Sequence, residues 1–255
     1  MFKVLICIIA GIGAGVGTGF AGMSAAAVIS PMLIAFLDMD PYLAVGIALA
    51  SDVLASAASA VTYGKNKNLD IKNGLIMMAS VLCFTAVGSF VASVVPKTAM
   101  GNFSVIMTLL LGVKFIVKPV VAPKRRLTEA TTAQKAVRSV LCGSAVGFVC
   151  GFVGAGGGMM MLLVLTSVLG YELKTAVGTS VFIMSITALT GSVSHFVIGG
   201  MPDTEALIIC IVSTLAAAQL SAVFANKASP KTLNRITGAI LVALGIAVLV
   251  VNHDS

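Results

Sequence analysis

The sequence contains few charged residues and no tryptophan. Charged residues make up 10% of its 255 residues, whereas hydrophobic residues make up 58%. Soluble domains are roughly 25% charged and 45–50% apolar, so water cannot accommodate the surface of this chain, but a lipid bilayer can. The absence of tryptophan and the presence of only three tyrosines predict a thin aromatic belt at the membrane interfaces.

The sequence also lacks the motifs of common enzymes and metal sites. We find no P-loop, no HExxH motif and no paired nucleophile and base. Its five cysteines form no CxxC pair and lie within apolar runs, as small packing residues do. The net charge of +7 comes from basic residues between apolar runs, which indicates membrane topology signals instead of nucleic-acid binding. We therefore expect no enzymatic activity, no cofactor, no metal and no nucleic-acid partner.

Long apolar segments dominate the chain. Two of them, 4–37 and 139–170, are unusually long and contain glycines in the middle, so each could be one broken, tilted helix or a hairpin of two short helices. The predicted fold is an all-α polytopic protein of the cell membrane, with the lipid bilayer as its surroundings and eight or more membrane segments. Six further segments can cross about 30 Å of hydrocarbon as helices: 42–63, 74–95, 99–118, 175–198, 206–226 and 233–251.

The two halves of the chain resemble each other. A shift of 132 positions (178 minus 46) places Gly11 on Gly143 and the triplet Ala44-Val45-Gly46 on Ala176-Val177-Gly178. Internal repeats of this kind are typical of secondary transporters. We predict a first membrane repeat at 1–120, a basic cytoplasmic linker at 121–138 and a second membrane repeat at 139–255.

The distribution of basic residues predicts the orientation of the repeats. A cytoplasmic linker puts the basic loop 65–72 inside and the acidic residues 38–40 outside. If segment 139–170 crosses once, the acidic loop 203–205 lies inside and the basic stretch 227–235 outside, against the positive-inside rule. If the segment enters and returns, both loops obey the rule. If segment 4–37 also enters and returns, each half crosses the membrane an odd number of times, so the two halves are inverted. We predict this inverted repeat; the alternative is eight helices that each cross the membrane once.

The second half carries an ordered set of motifs. A glycine stretch, Gly154-Ala155-Gly156-Gly157-Gly158, precedes an apolar run, the hexapeptide 175–180 and a helix that ends near His195. This order resembles the sulfite exporter TauE/SafE family, whose first-half motifs are degenerate here: Gly22-Met23-Ser24 replaces GxGGG. The resemblance implies membrane transport of small sulfur-containing anions, such as sulfite, thiosulfate or organosulfonates, by either uptake or export.

The glycine stretches are candidate anion-binding sites. The N-terminus of a helix carries unpaired amides and a partial positive charge, and glycine lets a ligand approach that backbone closely. A broken helix whose N-terminus points to the middle of the membrane can thus bind an anion without a charged side chain. Tight helix packing is the alternative use of glycine, and it is our prediction for Gly11, Gly15 and Gly19. The candidate binding residues are Gly22, Ser24, Gly154, Gly156, Gly157 and Gly158.

Polar side chains within apolar segments complete the predicted binding site. Thr179 and Ser180 open a helix and could bind anion oxygens or cap the helix, and Ser51 could supply a hydroxyl in the first half. His195 could titrate near neutral pH and receive or gate an anion, or it could anchor the helix at the interface. Gln219 could donate to the substrate or to a neighbouring helix.

Asp52 lies near the middle of segment 42–63. A carboxylate at that depth costs at least ~2.5 kcal/mol on insertion scales, so it is a candidate proton carrier or Na⁺ ligand. Ionised Asp52 would repel an anion, so protonation before anion binding would couple the two. The alternative is a protonated carboxyl that bonds a neighbouring helix. The equivalent residue of the second half is Met184.

These features together predict a secondary transporter of a small anion that works by alternating access, with proton coupling through Asp52. A non-transporting scaffold of a redox or sulfur-metabolism complex and an anion channel are the alternatives.

Overall fold

The computed structural model describes residues 1–92, 113, 116–117, 132–153 and 157–253. These residues are predominantly α-helical, and they contain no β-strand. A five-residue π-helix, Val164–Val168, directly follows the short α-helix Gly157–Leu163. Over the described residues the α-helices are α1 (Phe2–Ala21), α2 (Ala26–Leu37), α3 (Pro41–Lys65), α4 (Ile71–Ala92), α5 (Thr132–Val153), α6 (Gly157–Leu163), α7 (Leu173–Gly199), α8 (Thr204–Lys227) and α9 (Pro230–His253).

Several of these helices can cross a membrane by their length and composition. Within the described part of the chain there are four, at Phe2–Ala21, Leu43–Lys65, Leu173–Val197 and Thr204–Lys227. The all-α membrane class is therefore confirmed, and three predicted segments coincide with α3, α7 and α8. Most of the predicted segment 99–118 lies outside the described residues.

The outward faces of these helices are apolar. Side chains such as Leu5 and Ile9 on α1, Val193 on α7, and Ile208 and Val212 on α8 are exposed in the isolated chain. The transfer of such apolar surface from water into a bilayer is favourable by roughly 25 cal/mol per Å² of surface area. These helices therefore present a surface suited to lipid.

The apolar segment 4–37 is broken into two helices. Gly22 ends α1 in the left-handed conformation, with φ at 60°, and its amide donates to the carbonyl of Thr18 at 2.9 Å. Glycine adopts this conformation without the steric cost that a Cβ brings. Helix α2 then returns beside α1, since a methyl group on Gly13 would lie 3.4 Å from Cγ1 of Val28. Helices α1 and α2 therefore form an antiparallel hairpin.

The first helix of each half packs along a long helix of the other half. Helix α1 packs along α8, and α5 packs along α4. Gly15 meets the carbonyl of Thr214 so closely that a side chain would overlap it, and Gly147 meets Val81 in the same way. Small residues allow such close contact between backbones in membranes. Gly11, Gly15 and Gly19 all face α8, which confirms their predicted packing role.

Helices α3 and α7, which are equivalent under the 132-residue shift, also pack against each other. Gly46 near the start of α3 faces His195 and Phe196 near the end of α7. Gly178 near the start of α7 faces Tyr63 near the end of α3. These two equivalent helices therefore run antiparallel.

The two ends of this bundle differ in charge. At one end, Lys3 pairs with Asp203 and Glu205, where α1 and α8 begin. At the other end, Asn68 donates to Asn226 at 2.7 Å, where α3 and α8 finish. We call the first the acidic end, which also contains Asp38 and Asp40 between α2 and α3. We call the second the basic end, where Asp70 and Glu172 are outnumbered by Lys65, Lys67, Lys72, Lys174 and Lys227.

Candidate functional site

The turn between α1 and α2, residues 22–25, meets the start of α6 from the second half. We call this turn the first corner. A methyl group on Gly158 would lie 2.6 Å from the backbone nitrogen of Ser24 and 3.0 Å from the carbonyl oxygen of Gly22. Only glycine permits such an approach between two backbones. The structure thus brings together Gly22, Ser24 and Gly158, three of the predicted site residues.

Hydroxyl groups hold the first corner in place. Thr18 Oγ1 donates to the carbonyl of Met23 at 3.0 Å, and Ser180 Oγ on α7 donates to the carbonyl of Gly22 at 2.9 Å. Ser24 Oγ accepts from the amide of Ala26 at 3.3 Å, a local contact at the start of α2. Among the described residues, these contacts leave the amides of Ser24 and Ala25 without a backbone acceptor.

Asp52 faces the first corner from the middle of α3. Its side chain is fully buried, and Oδ1 accepts a hydrogen bond from Ser56 Oγ at 2.7 Å. The hydroxyl of Ser24 and the amide of Ala25 also face this carboxyl group. Within the described part of the chain, however, Oδ2 completes no hydrogen bond. The carboxyl group therefore sits opposite the positive end of α2 with one oxygen available.

The remaining predicted hydroxyl groups are used within the fold. Ser51 Oγ donates to the carbonyl of Ile47 in its own helix at 2.8 Å. Thr179 Oγ1 accepts from the amide of Asp70 at 3.2 Å, at the start of α4. The prediction that Thr179 and Ser180 open a helix is wrong, because α7 begins at Leu173 and both residues lie well inside it, where neither caps the helix. Among the described contacts of this pair, the one that reaches the first corner is the hydrogen bond of Ser180.

Among the described contacts, His195 and Gln219 make none with the first corner. His195 is fifteen residues beyond Ser180 on α7, near the acidic end, which corresponds to about 22 Å along the helix. At that separation His195 cannot share a small ligand with Gly22. Gln219 Oε1 accepts from Thr62 Oγ1 at 3.1 Å. Thr62 lies on α3, ten residues after Asp52 in the direction of the basic end. Gly154 and Gly156 lie outside the described residues, and Gly157 begins α6.

Three residues at the site were missed from the sequence. Ser56 could have been found, because it lies four residues after Asp52 and therefore on the same helix face. Tyr63 is buried and donates to the carbonyl of Gly19 at 2.8 Å across the two helices. Thr18 contacts the corner only because Gly22 turns the chain back, and no sequence pattern gives that register.

Long apolar helices, a hairpin broken by glycine and a buried carboxyl group opposite it define a polytopic membrane protein of the transporter class. The sequence model of the sulfite exporter TauE/SafE family matches residues 7–248. The chain belongs to this family, which confirms the resemblance seen in its motifs.

Relatives from bacteria and archaea support the same class. The chain is 26% identical over 261 residues to the probable membrane transporter protein YunE of Bacillus subtilis (strain 168), with 94% of this chain and 95% of that protein aligned. It is 24% identical to the probable membrane transporter protein YdhB of the same organism, over 83% and 86% of the two chains. It is 25% identical to the probable membrane transporter protein MJ0441 of Methanocaldococcus jannaschii, over 81% and 78%. The family and these relatives indicate a membrane transporter.

Proposed function

We propose that the protein is a secondary transporter of a small oxyanion, with sulfite, thiosulfate or an organosulfonate as its substrate class. The observation that carries the proposal is the contact between the first corner and Gly158. This contact joins the first corner to the start of α6 from the second half, and among the described residues the amides of Ser24 and Ala25 donate to no backbone acceptor.

Backbone amides are suited to an oxyanion. They donate hydrogen bonds from fixed positions, and the partial positive charge at the start of α2 adds to their attraction for a negative group. The hydroxyl of Ser24 and the glycine backbone at Gly158 line the same place. We propose that Gly154 and Gly156 complete the site from the second half.

Alternating access requires two arrangements of the same elements around one site. We propose that the repeats at 1–120 and 139–255 are inverted, with 121–138 as their linker. The antiparallel contact of the equivalent helices α3 and α7 supports this proposal. The seams of α1 with α8 and of α4 with α5 each join one helix from each half, so each pair is suited to move as a unit.

The charge difference between the ends supports one orientation in the cell membrane. Basic residues favour the cytoplasmic side, and acidic residues have little effect on topology. We propose that the basic end faces the cytoplasm and that the acidic end, with Lys3 paired to Asp203 and Glu205, faces outward.

We further propose that Asp52 couples anion binding to a proton. An ionised carboxylate opposite the start of α2 competes with a substrate anion for the same amides. Two unit negative charges about 4 Å apart repel by ~4 kcal/mol at an effective dielectric constant of 20. Protonation of Asp52 removes this repulsion, so a proton and an anion occupy the site together more readily than the anion alone.

The test is flux through the purified protein in proteoliposomes. We expect counterflow of radiolabelled sulfite that saturates with concentration, and uphill accumulation when a pH gradient is imposed. Thiosulfate, a sulfonate and a simple carboxylate are compared as competitors. Saturable flux of the carboxylate alone would overturn the substrate class. Flux that never saturates and cannot be driven uphill would indicate a channel, and the absence of any flux would indicate a scaffold.

A further inference from the structure

We propose that a row of buried hydroxyl groups on α3 and α8 is a proton path between Asp52 and the basic end, which rests on the proposed coupling role of Asp52. On α3 the path contains Asp52, Ser56, Ser59 and Thr62, and Asn66 follows directly after this helix. On α8 the path contains Thr214 and Gln219.

The residues on α3 follow one face of the helix. Successive members are four, three, three and four residues apart, which is the spacing of neighbours on a helix surface. Asp52, Ser56 and Ser59 are fully buried and Thr62 is nearly so, whereas Asn66 is exposed at the basic end. At 1.5 Å per residue the row extends about 21 Å from the middle of the bundle to its surface.

Hydrogen bonds already connect both ends of the row. At the inner end, Ser56 Oγ donates to Oδ1 of Asp52 at 2.7 Å. At the outer end, Thr62 Oγ1 donates to Oε1 of Gln219 at 3.1 Å, and Asn66 Nδ2 donates to the carbonyl of Thr62 at 2.8 Å. The interval between Ser56 and Thr62 is the part that remains to be connected.

Two buried hydroxyl groups without partners lie in that interval. Among the described residues, Ser59 Oγ and Thr214 Oγ1 make no hydrogen bond. Thr62 contacts Gln219, which is 157 residues further along the chain, and Asn68 contacts Asn226, which is 158 residues further along. The same offset places Thr214 of α8 at the level of residues 56–57 of α3. A buried hydroxyl without a partner costs about 1–3 kcal/mol, and proteins satisfy such groups with internal water. Water between Ser56, Ser59 and Thr214 would join the two ends.

The spread of these oxygens favours protons over a bound metal cation. Asp52 and Ser59 are seven residues apart, which is about 10 Å along the helix. Cations such as Ca²⁺ hold their oxygen ligands at about 2.3–2.6 Å, so one ion cannot contact both. Hydroxyl groups about one helical turn apart are suited instead to a relay with water between them.

Other ionisable groups do not interrupt the path. The groups that face Asp52 are the Ser24 and Ser56 hydroxyls and the Ala25 amide, and α2 contains no ionisable side chain. On the other helices packed against α3, the ionisable groups lie toward the ends: Lys3 and Cys7 on α1, Lys174 and His195 on α7, and Glu205, Cys210 and Lys227 on α8. On α3 itself, Tyr63 lies beside Thr62, and Lys65 lies beside Asn66 at the basic end.

The second half offers no equivalent row. Under the 132-residue shift, Asp52, Ser56 and Ser59 correspond to Met184, Ala188 and Gly191 of α7. Helix α7 packs in the same antiparallel contact without these hydroxyl groups. At the position equivalent to Thr62, α7 carries Ser194, so the row on α3 has a counterpart there at one position and not at the three others.

The test follows the protonation of Asp52 by infrared spectroscopy in sealed vesicles with the basic end outward. The carboxyl band of Asp52 is identified by its loss in Asp52→Asn, and the external pH is then stepped. We expect the Ser59→Ala, Thr214→Val double variant to slow the response by about tenfold or more, because proton transfer needs positioned groups within hydrogen-bond reach. Its thermal stability should not fall, because the two hydroxyls have no partners to lose.

Ser221→Ala is the matched control. Ser221 is also buried on α8, but its hydroxyl donates to the carbonyl of Ala217 at 2.6 Å and lies outside the row. This variant should respond at the wild-type rate. An unchanged rate in the double variant, or a response of Asp52 to pH at the acidic end alone, would overturn the path. The measurement uses no anion, so failure of sulfite transport would not alter its outcome.

Discussion

Helices α3 and α7 are equivalent in the repeat and pack against each other, but their polar residues differ. Both begin with the same Ala-Val-Gly triplet, and Gly46 and Gly178 make matching close contacts at opposite ends of the pair. Helix α3 carries Asp52 near its middle, whereas α7 carries Met184 at the position equivalent under the 132-residue shift and uses Ser180 to hold the first corner. The comparison teaches that two helices with the same opening triplet can share close backbone contacts and still differ in their polar roles.

Replacement of Asp52 tests this difference most strongly. We expect Asp52→Asn to reduce the stimulation of uptake by a pH gradient about tenfold or more, within the range typical of coupling between two sites. Counterflow without a gradient should continue. The matched change in α7 is Met184→Leu, which keeps the volume and should leave both rates near wild type. Full response to the gradient in Asp52→Asn would remove Asp52 from the mechanism.

The contact between the two halves at Gly158 gives the next largest effect. We expect Gly158→Ala to abolish saturable sulfite counterflow, because the new methyl group would lie 2.6 Å from the backbone nitrogen of Ser24 and displace the first corner. Gly191→Ala is the control, since its methyl group would meet only the movable end of Leu49. Equal counterflow in the two variants would show that the corner contact is not part of the binding site.

Much of this layout follows from sequence patterns. Hydropathy predicts α3, α7 and α8, and the glycines in segment 4–37 predict a break near Gly22. The depth of Asp52 follows from its position in an apolar segment. These features depend on local composition or on helix spacing, which a single sequence contains.

The rest depends on which helices meet. His195 and Ser180 lie on one helix and both looked suited to an anion, but helix length separates them by about 22 Å. The roles of Thr18 and Ser180 at the corner, and the burial of the Thr214 hydroxyl on α8 without a partner among the described residues, follow from contacts between distant segments. No pattern within one helix contains that information.

The two glycine seams provide a comparison of smaller effect. We expect Gly15→Ala and Gly147→Ala to destabilise the protein by similar amounts, about 1–3 kcal/mol, because each added methyl group overlaps a backbone carbonyl of the facing helix. Thermal unfolding in detergent measures this loss. Gly13→Ala should be tolerated, since its methyl group would lie at an ordinary 3.4 Å from Val28. A loss confined to one seam would contradict the equivalence of the two interfaces.

The ion pair at the acidic end gives the smallest expected effect. Lys3→Gln should cost no more than about 1 kcal/mol, because partly exposed pairs contribute little. Contact with Lys3 holds the pKa of Asp203 below its ordinary value. The contribution of this ion pair to the free energy of unfolding is therefore present above about pH 4 and is lost as the pH falls through the lowered pKa. Thermal unfolding of wild type and Lys3→Gln should therefore converge in acid. A constant difference at all pH values would contradict this origin.

Crystals soaked in selenite, a heavier analogue of sulfite, offer the most direct measurement. The anomalous signal of selenium locates the anion without assumptions about its surroundings. We predict a single strong peak within hydrogen-bonding distance of the Ser24 and Ala25 amides, beside Gly158. A peak found only among the lysines of the basic end, with none at the first corner, would contradict an anion site built from broken helices.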